Sequence, residues 1–359
     1  MRKIITIHHI HNFGSVFQAW ALKEYLVKLG HEVEIIDYRP SYYEKGRNLF
    51  KTIVSKIVFA LPYLKRKKKF DRFIVSRSNL TDRVFKSREE LVEYYRESCN
   101  LFIAGGDQLW NDYHPCGNDD CYKLNFVDTN LKIAYGTSMG RNDYSESELK
   151  KLSEEVSSFA SIMLREQSTV ELLSGYTNVP VSHVIDPVGL IDLSAYEDVL
   201  VKPEITEPYA VMYLADSSDL LDRAVSVLSK KLGLKIVHIC GFKKKCYCDI
   251  LEKDIGPEEI LGYIKFADFV ISASFHATMF SLLFNKQFAT LLPGEKTNAR
   301  IEDLLEKVKL SERIIKNSDD ISVIEKTINF DKSNDIIARF AEESRALLAS
   351  SIEGITQIK

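Results

Sequence analysis

Hydrophobic and polar positions alternate along the chain in the manner of strands followed by helices. Ile4–Ile7 is a short apolar stretch, and Val16–Leu29 repeats apolar residues at helical spacing up to Gly30, a residue that commonly ends helices. Val33–Asp37 then has the pattern of a second strand. The start of the chain is therefore predicted to form one βαβ unit.

Further apolar segments of strand length follow throughout the chain. They are Leu101–Ala104, Lys132–Tyr135, Ile162–Arg165, His183–Ile185, Ala210–Leu214, Lys235–Ile239, Phe269–Ser272 and Phe288–Leu292. Helical patterns separate most of them, which predicts parallel sheets with helices on both faces. The polar, proline-bearing stretch Asp192–Pro208 interrupts the alternation. We therefore predict an N-terminal α/β domain over 1–192, a C-terminal one over 193–335, and a closing helix within 336–359.

Residues 45–72 break this alternation. Apolar residues recur at helical spacing from Leu49 to Leu61, and the uninterrupted basic run Lys65–Lys69 follows. A basic amphipathic helix of this kind is typical of contact with an anionic membrane surface. The alternative, which we favour, is a helix packed on the first domain's core with a solvated charge run behind it.

Composition and charge narrow the function classes. The 359 residues exceed one ordinary core, and a formal net charge of −3 argues against a general nucleic-acid-binding protein. The six cysteines lack the paired spacing of zinc sites. The N-terminal apolar stretch turns polar at His8, too early for a signal-peptide core, and the apolar runs are shorter than a membrane span. We expect a cytoplasmic protein.

The segment Phe269–Phe284 carries the clearest chemical signal. It has the pattern of a buried strand, a serine-rich turn and a helix with His276 in its first turn. Ligands of open α/β sheets bind outside the carboxyl ends of strands, and helix N-termini attract phosphate or carboxylate. The plain alternative is that Ser274 caps the helix and His276 packs.

Four other segments follow predicted strands and carry polar groups. Asn12–Ser15 and Ala104–Asn111 combine glycines with amides, and Trp110 offers a flat face for a sugar. Asp186 follows the strand that ends at Ile185, and Lys296, Asn298 and Arg300 follow the strand that ends at Leu292. The alternatives are an ordinary βα turn for Asn12–Ser15, a plain turn with one buried tryptophan for Ala104–Asn111, a simple cap for Asp186 and a solvated loop for the three residues after Leu292.

Taken together, longer segments carry a family signature. In chain order they are NFGSVFQAWALKEYLVKLGHEVEIIDYRP, FIAGGDQLWN, AYGTSMGR, REQS, VIDPVGLI, SFHATMFSLLFNKQF and NARIEDLL. They resemble the polysaccharide pyruvyl transferase family, and the resemblance extends from about Ile4 to about Leu305.

The resemblance implies two Rossmann-like domains that face each other across a cleft, an architecture of the GT-B type. It also implies transfer of the pyruvyl group of phosphoenolpyruvate to a sugar of a cell-surface glycan or its lipid-linked precursor. The product is a cyclic ketal, and phosphate is released. This chemistry uses phosphoenolpyruvate as co-substrate and no metal or redox cofactor.

The needs of the implied reaction suggest candidate roles for residues. His276 is the expected acid that protonates the enol carbon, and Asp186 the expected base or cation stabiliser. The expected donor-binding residues are Arg165, Ser272, Ser274, Phe275, Ala277, Lys296, Asn298 and Arg300, and the expected acceptor-binding residues are Asn12, Phe13, Gly14, Gln18, Asp107, Gln108, Trp110 and Asn111.

One departure and two alternatives qualify this assignment. Many relatives place an arginine two positions before the family histidine, where this chain has Ser274, so we expect Arg165 or Arg300 to replace it. An ordinary GT-B glycosyltransferase would share the cleft and the helix N-terminus but would need a pocket for a nucleobase and ribose. A non-enzymatic glycan-binding or scaffold protein would need neither His276 nor Arg165.

Overall fold

The structure is a computed structural model that describes residues 1–45, 53–213, 218–239, 246–292 and 298–357. Contacts divide the chain into two units. Unit 1 comprises Met1–Leu49, Ile74–Ile191 and Ala338–Lys359, and unit 2 comprises Phe50–Phe73 and Asp192–Ile337. This division differs from the sequence-based assignment at two segments, because most of the basic insertion belongs to unit 2 and most of the closing helix belongs to unit 1.

Unit 1 is built on a parallel sheet with seven strands among the described residues. They are β1 (Arg2–Ile5), β2 (Val33–Tyr38), β3 (Leu80–Phe85), β4 (Leu101–Gly105), β5 (Lys132–Thr137), β6 (Ser161–Leu164) and β7 (Val181–His183). Their order is β3-β2-β1-β4-β5-β6-β7, which is the Rossmann order with one added strand. The order reverses between β1 and β4, so the switch point of this sheet lies there.

Helices connect these strands. They are α1 (Phe13–Lys28), α2 (Tyr42–Lys45), α3 (Ile53–Arg77), α4 (Arg88–Tyr95), α5 (Glu146–Glu155) and α6 (Gln167–Ser174), with short 3₁₀ turns at Pro115–Asn118, Asp120–Lys123 and Pro187–Gly189. Local capping sets several boundaries. Ser145 and Glu148 form a reciprocal capping box at the start of α5, and α1 is followed by Gly30 at φ +84°.

Unit 2 repeats the same topology with six strands in the part of the chain that is described. They are β8 (Tyr209–Tyr213), β9 (Lys235–Ile239), β10 (Ile250–Glu252), β11 (Phe269–Ser272), β12 (Gln287–Leu291) and β13 (Ile314–Ile315). Their order is β10-β9-β8-β11-β12-β13, and all neighbours are parallel. This is again the Rossmann order, with the switch point between β8 and β11.

The helices that follow β7 alternate with strands in the same way, and most of the last of them belongs to unit 1. They are α7 (Leu193–Glu197), α8 (Asp219–Ser226), α9 (Pro257–Phe266), α10 (Phe275–Leu283), α11 (Ala299–Lys307) and α12 (Asp331–Gln357), with a π-helical turn at Val227–Lys231 and 3₁₀ turns at Ser311–Arg313 and Asp319–Glu325. The residues of α3 and α12 are divided between the two units.

Three strands were not predicted, and each lies at or near a sheet edge. β3 has the polar sequence LTDRVF with two buried positions, while β10 and β13 contain three and two residues. Edge strands bury little side-chain area, so they need no apolar run that a sequence pattern could reveal.

The basic helix α3 pairs its charges within unit 2. Lys65, Lys69 and Arg72 form ion pairs with Asp254, Glu259 and Glu258, respectively. These ion pairs are made with unit 2, whereas the packed-helix alternative expected the first domain's core and a solvated charge run. Leu61 is 69% exposed, and the side chains of 53–60 lie outside the described structure. A membrane contact through Lys45–Arg72 stays a prediction. Within the described residues, no helix combines the length and hydrophobicity needed to cross a bilayer.

The segment that leads into β8 is fixed to α9 by backbone contact. The Val201 amide donates to the Glu258 carbonyl over 3.0 Å, and a Cβ built on Gly262 would lie 1.8 Å from the Val201 carbonyl oxygen. A glycine is therefore required in the middle of α9, despite the low helix propensity of glycine.

We expect Gly262→Ala to lower the free energy of unfolding by about 1–3 kcal/mol, because the added methyl group overpacks the contact with Val201. Gly354→Ala is the matched control, since this helical glycine has no atom within 4 Å of its built Cβ, and we expect it to stabilise by about 0.5–1 kcal/mol. Urea denaturation measures the free energy of unfolding of both variants. Equal effects of the two substitutions would contradict the contact.

Candidate active site

The switch point of unit 2 is built around two serines. The Ser272 hydroxyl at the end of β11 donates to the Tyr213 carbonyl over 2.6 Å and accepts the Ser274 amide over 2.9 Å. Ser274 has an extended backbone and its hydroxyl accepts the Ala277 amide over 3.4 Å. This network joins β8 to β11 and fixes the residue at which α10 begins.

His276 lies in the first turn of α10. It is 5% exposed, and its ring packs edge-on against Phe275 with 5.2 Å between ring centroids. Ala277 is fully buried beneath the turn. The predicted strand, serine turn and helix start are therefore present, and the imidazole is close to the positive end of the α10 dipole.

The remaining predicted groups of unit 2 follow β12. Asn298 directly precedes α11, and Arg300 is the second residue of that helix and is partly buried. Lys296 lies outside the described residues. Since β12 pairs with β11 in parallel, Asn298 and Arg300 follow a strand that ends at the same edge as Ser272.

The switch point of unit 1 is also closed by side-chain hydrogen bonds. Asn12 caps α1, and its Oδ1 accepts the amides of Gly14 and Ser15 over 2.9 and 3.5 Å. The Ser15 hydroxyl in turn donates to Asp107, which follows β4. These contacts tie the first turn of α1 to the loop after β4, while Phe13 is fully buried.

The loop after β4 requires unusual backbone geometry. Gly106 has φ +61°, and a Cβ there would lie 1.6 Å from Oε1 of Gln18, a fully buried residue whose Nε2 donates to Thr6. Asp107 has φ +56° and accepts the Gln108 amide over 2.8 Å. The backbone at Gly106 thus lies in close contact with the Gln18 side chain of α1.

Gln108 and Asn111 form a second polar pair. The Asn111 amide donates to Gln108 Oε1 over 2.8 Å, and a Cβ on Gly140 would lie 2.2 Å from Asn111 Nδ2. Gln108 is partly exposed, whereas Asn111 is fully buried. Gln108 is thus the more accessible of the two amides.

Trp110 does not match its predicted role. The indole is 2% exposed, donates its Nε1–H to the Tyr122 carbonyl over 3.1 Å and packs edge-on against Phe159. A buried ring offers no face to a sugar. The prediction failed because an aromatic residue in a loop has the same sequence signature whether it stacks on ligand or anchors the loop in the core.

Arg165 and Asp186 meet in a buried ion pair. Arg165 Nη1 lies 2.5 Å from Asp186 Oδ2, and its Nε lies 3.3 Å from Glu166 Oε1. Burial opposes the charge, but the carboxylates of Asp186, Glu166 and Asp107 outweigh it and raise the pKa of Arg165. The predicted donor-binding arginine is therefore held by carboxylates of unit 1, and Asp186 accepts its hydrogen bond.

Sequence reasoning missed a histidine cluster after β1. His8 is fully buried, with Nδ1 3.1 Å from the Thr6 carbonyl and Nε2 3.0 Å from Asp37 Oδ1. Arg39 donates to both oxygens of Asp37 over 2.6 and 2.8 Å. Burial raises the pKa of Asp37, but the hydrogen bonds from His8 and Arg39 outweigh it and place the pKa below its usual value.

His9 stands beside this cluster as a neutral group. Burial first, and then the neighbouring His8 and Arg39, lower the pKa of His9 to about 3. Its ring packs edge-on against Tyr43 at 4.9 Å, and neither ring nitrogen has a hydrogen-bond partner among the described residues. The run HHIH directly after a strand was the available sequence signal.

The comparisons with known proteins place the chain in a family. Residues 12–293 match the family model of polysaccharide pyruvyl transferases, which confirms the resemblance over most of the chain. Among proteins with curated function, none matches the sequence.

Solved structures support the fold. A UDP-N-acetylglucosamine 2-epimerase from Rickettsia bellii is 11% identical with a TM-score of 0.54, covering 99% of this chain and 97% of that chain. A UDP-GlcNAc 2-epimerase from Methanocaldococcus jannaschii is 10% identical with a TM-score of 0.51, covering 92% of this chain and 94% of that chain.

A Thermobaculum terrenum O-GlcNAc transferase variant is more distant, at 9% identity and a TM-score of 0.48. The match covers 98% of this chain and 63% of the transferase. Together with the two parallel sheets, the two epimerase likenesses confirm the predicted α/β class with Rossmann-like units of the GT-B type. By its match to the family model, the chain belongs to the polysaccharide pyruvyl transferase family.

Proposed function

We propose that the protein transfers the pyruvyl group of phosphoenolpyruvate to a sugar of a cell-surface glycan or its lipid-linked precursor, forming a pyruvate ketal and releasing phosphate. The observation that carries this proposal is the position of His276, in the first turn of a helix at the switch point of unit 2. No cofactor besides the co-substrate phosphoenolpyruvate is part of it.

The donor is assigned to unit 2. Phosphoenolpyruvate carries a phosphate and a carboxylate, and both are ligands that helix N-termini bind. The first turn of α10 supplies backbone amides and the Ser274 hydroxyl, and Asn298 and Arg300 follow the neighbouring strand β12. These groups replace the arginine that relatives carry at the position of Ser274.

His276 is assigned the proton transfer. It protonates the terminal enol carbon, which becomes a methyl group, and the adjacent carbon gains positive character that the first sugar hydroxyl can attack. The bond from that carbon to the phosphate oxygen breaks, and its electron pair leaves with phosphate. The second hydroxyl then closes the ketal. The two sugar hydroxyls together lose two protons. One balances the proton gained by the methyl group, and the other balances the proton gained by the released phosphate.

The acceptor is assigned to the carboxyl edge of the unit 1 sheet. Gln108 offers an accessible amide that can exchange hydrogen bonds with a sugar hydroxyl. Because Arg165 holds Asp186 as an ion pair, we assign Asp186 to stabilising the positive charge of Arg165 rather than to removing a proton.

We expect His276→Ala to reduce phosphate release from phosphoenolpyruvate, measured with a panel of lipid-linked acceptors, by about 10²–10⁴, the contribution of one positioned acid. The melting temperature should remain close to that of the unsubstituted protein. His31→Ala, in the loop after α1, is the matched control and should keep full activity. Full activity of His276→Ala would remove this residue from the mechanism.

UDP-sugars offered as donors in the same assay test the glycosyltransferase alternative.

Arg165→Ala should have two measurable effects. Removing the guanidinium leaves buried carboxylates uncompensated, so the free energy of unfolding should fall by about 3–5 kcal/mol. If Arg165 also contacts the donor, the KM for phosphoenolpyruvate should rise in the folded protein. Arg165→Lys keeps the charge and should recover most of the stability. An unchanged donor KM in both variants would reject the binding role and leave Arg165 as a structural partner of Asp186.

His9→Gln tests the neutral imidazole through the pH dependence of stability. The folded-state pKa of about 3 lies below the unfolded value of about 6.5, so the contribution of neutral His9 is complete above pH 6.5 and is lost as pH falls towards 3. Between those pH values the unfolded chain binds about one more proton than the folded protein. The free energy of unfolding therefore rises with pH by roughly 1.4 kcal/mol per pH unit. Denaturation at pH 4–6 should show that the free energy of unfolding of His9→Gln depends less steeply on pH than that of the unsubstituted protein. An identical slope would show that His9 is not buried as a neutral group.

A further inference from the structure

Unit 2 contains a cavity that the proposed reaction does not use. Its volume is about 330 Å³, at the lower end of the range of about 300–1,000 Å³ typical of small-molecule sites. It is lined by the loop after α11, by the segment around Arg313 and by the start of α12. Arg313 directly precedes β13 and bonds to Phe288 near the start of β12. The cavity therefore lies towards the amino ends of these strands, at the sheet edge opposite to Ser274 and His276.

A buried guanidinium lies in the wall of this cavity. Arg313 is 2% exposed, and its Nε and Nη1 donate to the carbonyls of Phe288, Val323 and Lys326 over 2.7, 2.9 and 2.9 Å. Within the described chain it forms no ion pair with a carboxylate, and its buried Nη2 has no hydrogen-bond partner. Burial lowers the pKa of Arg313 to about 10, so the group stays cationic at neutral pH. The Glu312 carboxylate opposes this shift, but no carboxylate of the described residues bonds to Arg313, and a buried charge without such a partner is costly.

The rim adds further positive charge. Lys309, Lys326 and Lys332 line the cavity and are exposed, and none of them forms an ion pair with another described residue. Glu312 is the carboxylate among the lining residues. Lys332 and Ser333 also belong to the first turn of the 27-residue helix α12, whose amino end favours anions, although Asp331 occupies the same turn. Positive charge thus exceeds negative charge around the opening.

We propose that this cavity binds a phosphate group of a small molecule, at a site separate from His276. Three lysines and a buried arginine suit a dianionic phosphate better than a single carboxylate. The volume accommodates a phosphate monoester with a short organic part. A bound phosphate would compensate Arg313 and hold together the loop after α11, the segment Asp319–Glu325 and the start of α12.

The test is calorimetric titration of the full chain with inorganic phosphate at constant ionic strength. The cavity variant replaces three lysines together with Gln: Lys309, Lys326 and Lys332. The matched control replaces three other lysines with Gln: Lys231, Lys235 and Lys316. These control lysines form exposed ion pairs elsewhere in unit 2. We expect saturable binding that is at least roughly tenfold weaker in the cavity variant and unchanged in the control. Phosphate at the donor site would contribute equally to all three proteins.

Two results would overturn the proposal: no saturable phosphate binding to the unsubstituted protein, or equal binding to the cavity and control variants. The lysine variants are used because Arg313 holds three backbone carbonyls and its replacement would disturb the fold. Two further titrations identify the source of the phosphate. Binding of glycerol 3-phosphate indicates a soluble monoester, whereas binding only of vesicles that contain phosphatidic acid indicates a lipid headgroup.

Discussion

A single hydroxyl group at the switch point of unit 2 controls the position of the proposed catalytic group. Ser272 joins the end of β11 to the end of β8 through the Tyr213 carbonyl, and it accepts the amide of Ser274, the residue that caps α10. The direction of α10 and the location of His276 follow from this network. Unit 1 uses the same principle, because the Ser15 hydroxyl of α1 bonds to Asp107 after β4.

The two sheet edges differ in their charge. In unit 1 the charged groups are paired internally, Arg165 with Asp186 and Glu166, and Asp37 with His8 and Arg39, while His9 is neutral. In unit 2 the corresponding edge offers the amino end of α10. Neutral donors and acceptors suit sugar hydroxyls, and a helix N-terminus suits an anionic donor. A helix amino end is present at both edges, α1 in unit 1 and α10 in unit 2, so the assignment of phosphoenolpyruvate to unit 2 depends on His276 in the first turn of α10.

The sequence predicted the architecture because buried parallel strands produce apolar runs of a recognisable length. Lys235–Ile239 and Phe269–Ser272 were predicted with the bounds observed, whereas the edge strands β3, β10 and β13 carry no such run. The turn at Ser274 was also predictable, since a serine cap before an apolar helix is a local signal.

The surroundings of individual side chains were not predictable, because they depend on contacts between distant segments. Trp110 was expected to face a ligand and is buried against Phe159, and the pairing of Arg165 with Asp186 joins residues from different strand ends. His9 was overlooked because its neutrality results from burial and from the neighbouring His8 and Arg39. Lys296 lies outside the described residues, so its role stays a prediction.

The most direct measurement of the central claim is a crystal structure of the protein with bound phosphoenolpyruvate. The account predicts that the phosphate or the carboxylate accepts hydrogen bonds from the first-turn amides of α10, with the enol carbon within reach of the His276 ring. A donor bound away from α10, or an imidazole that does not face the enol carbon, would contradict the account.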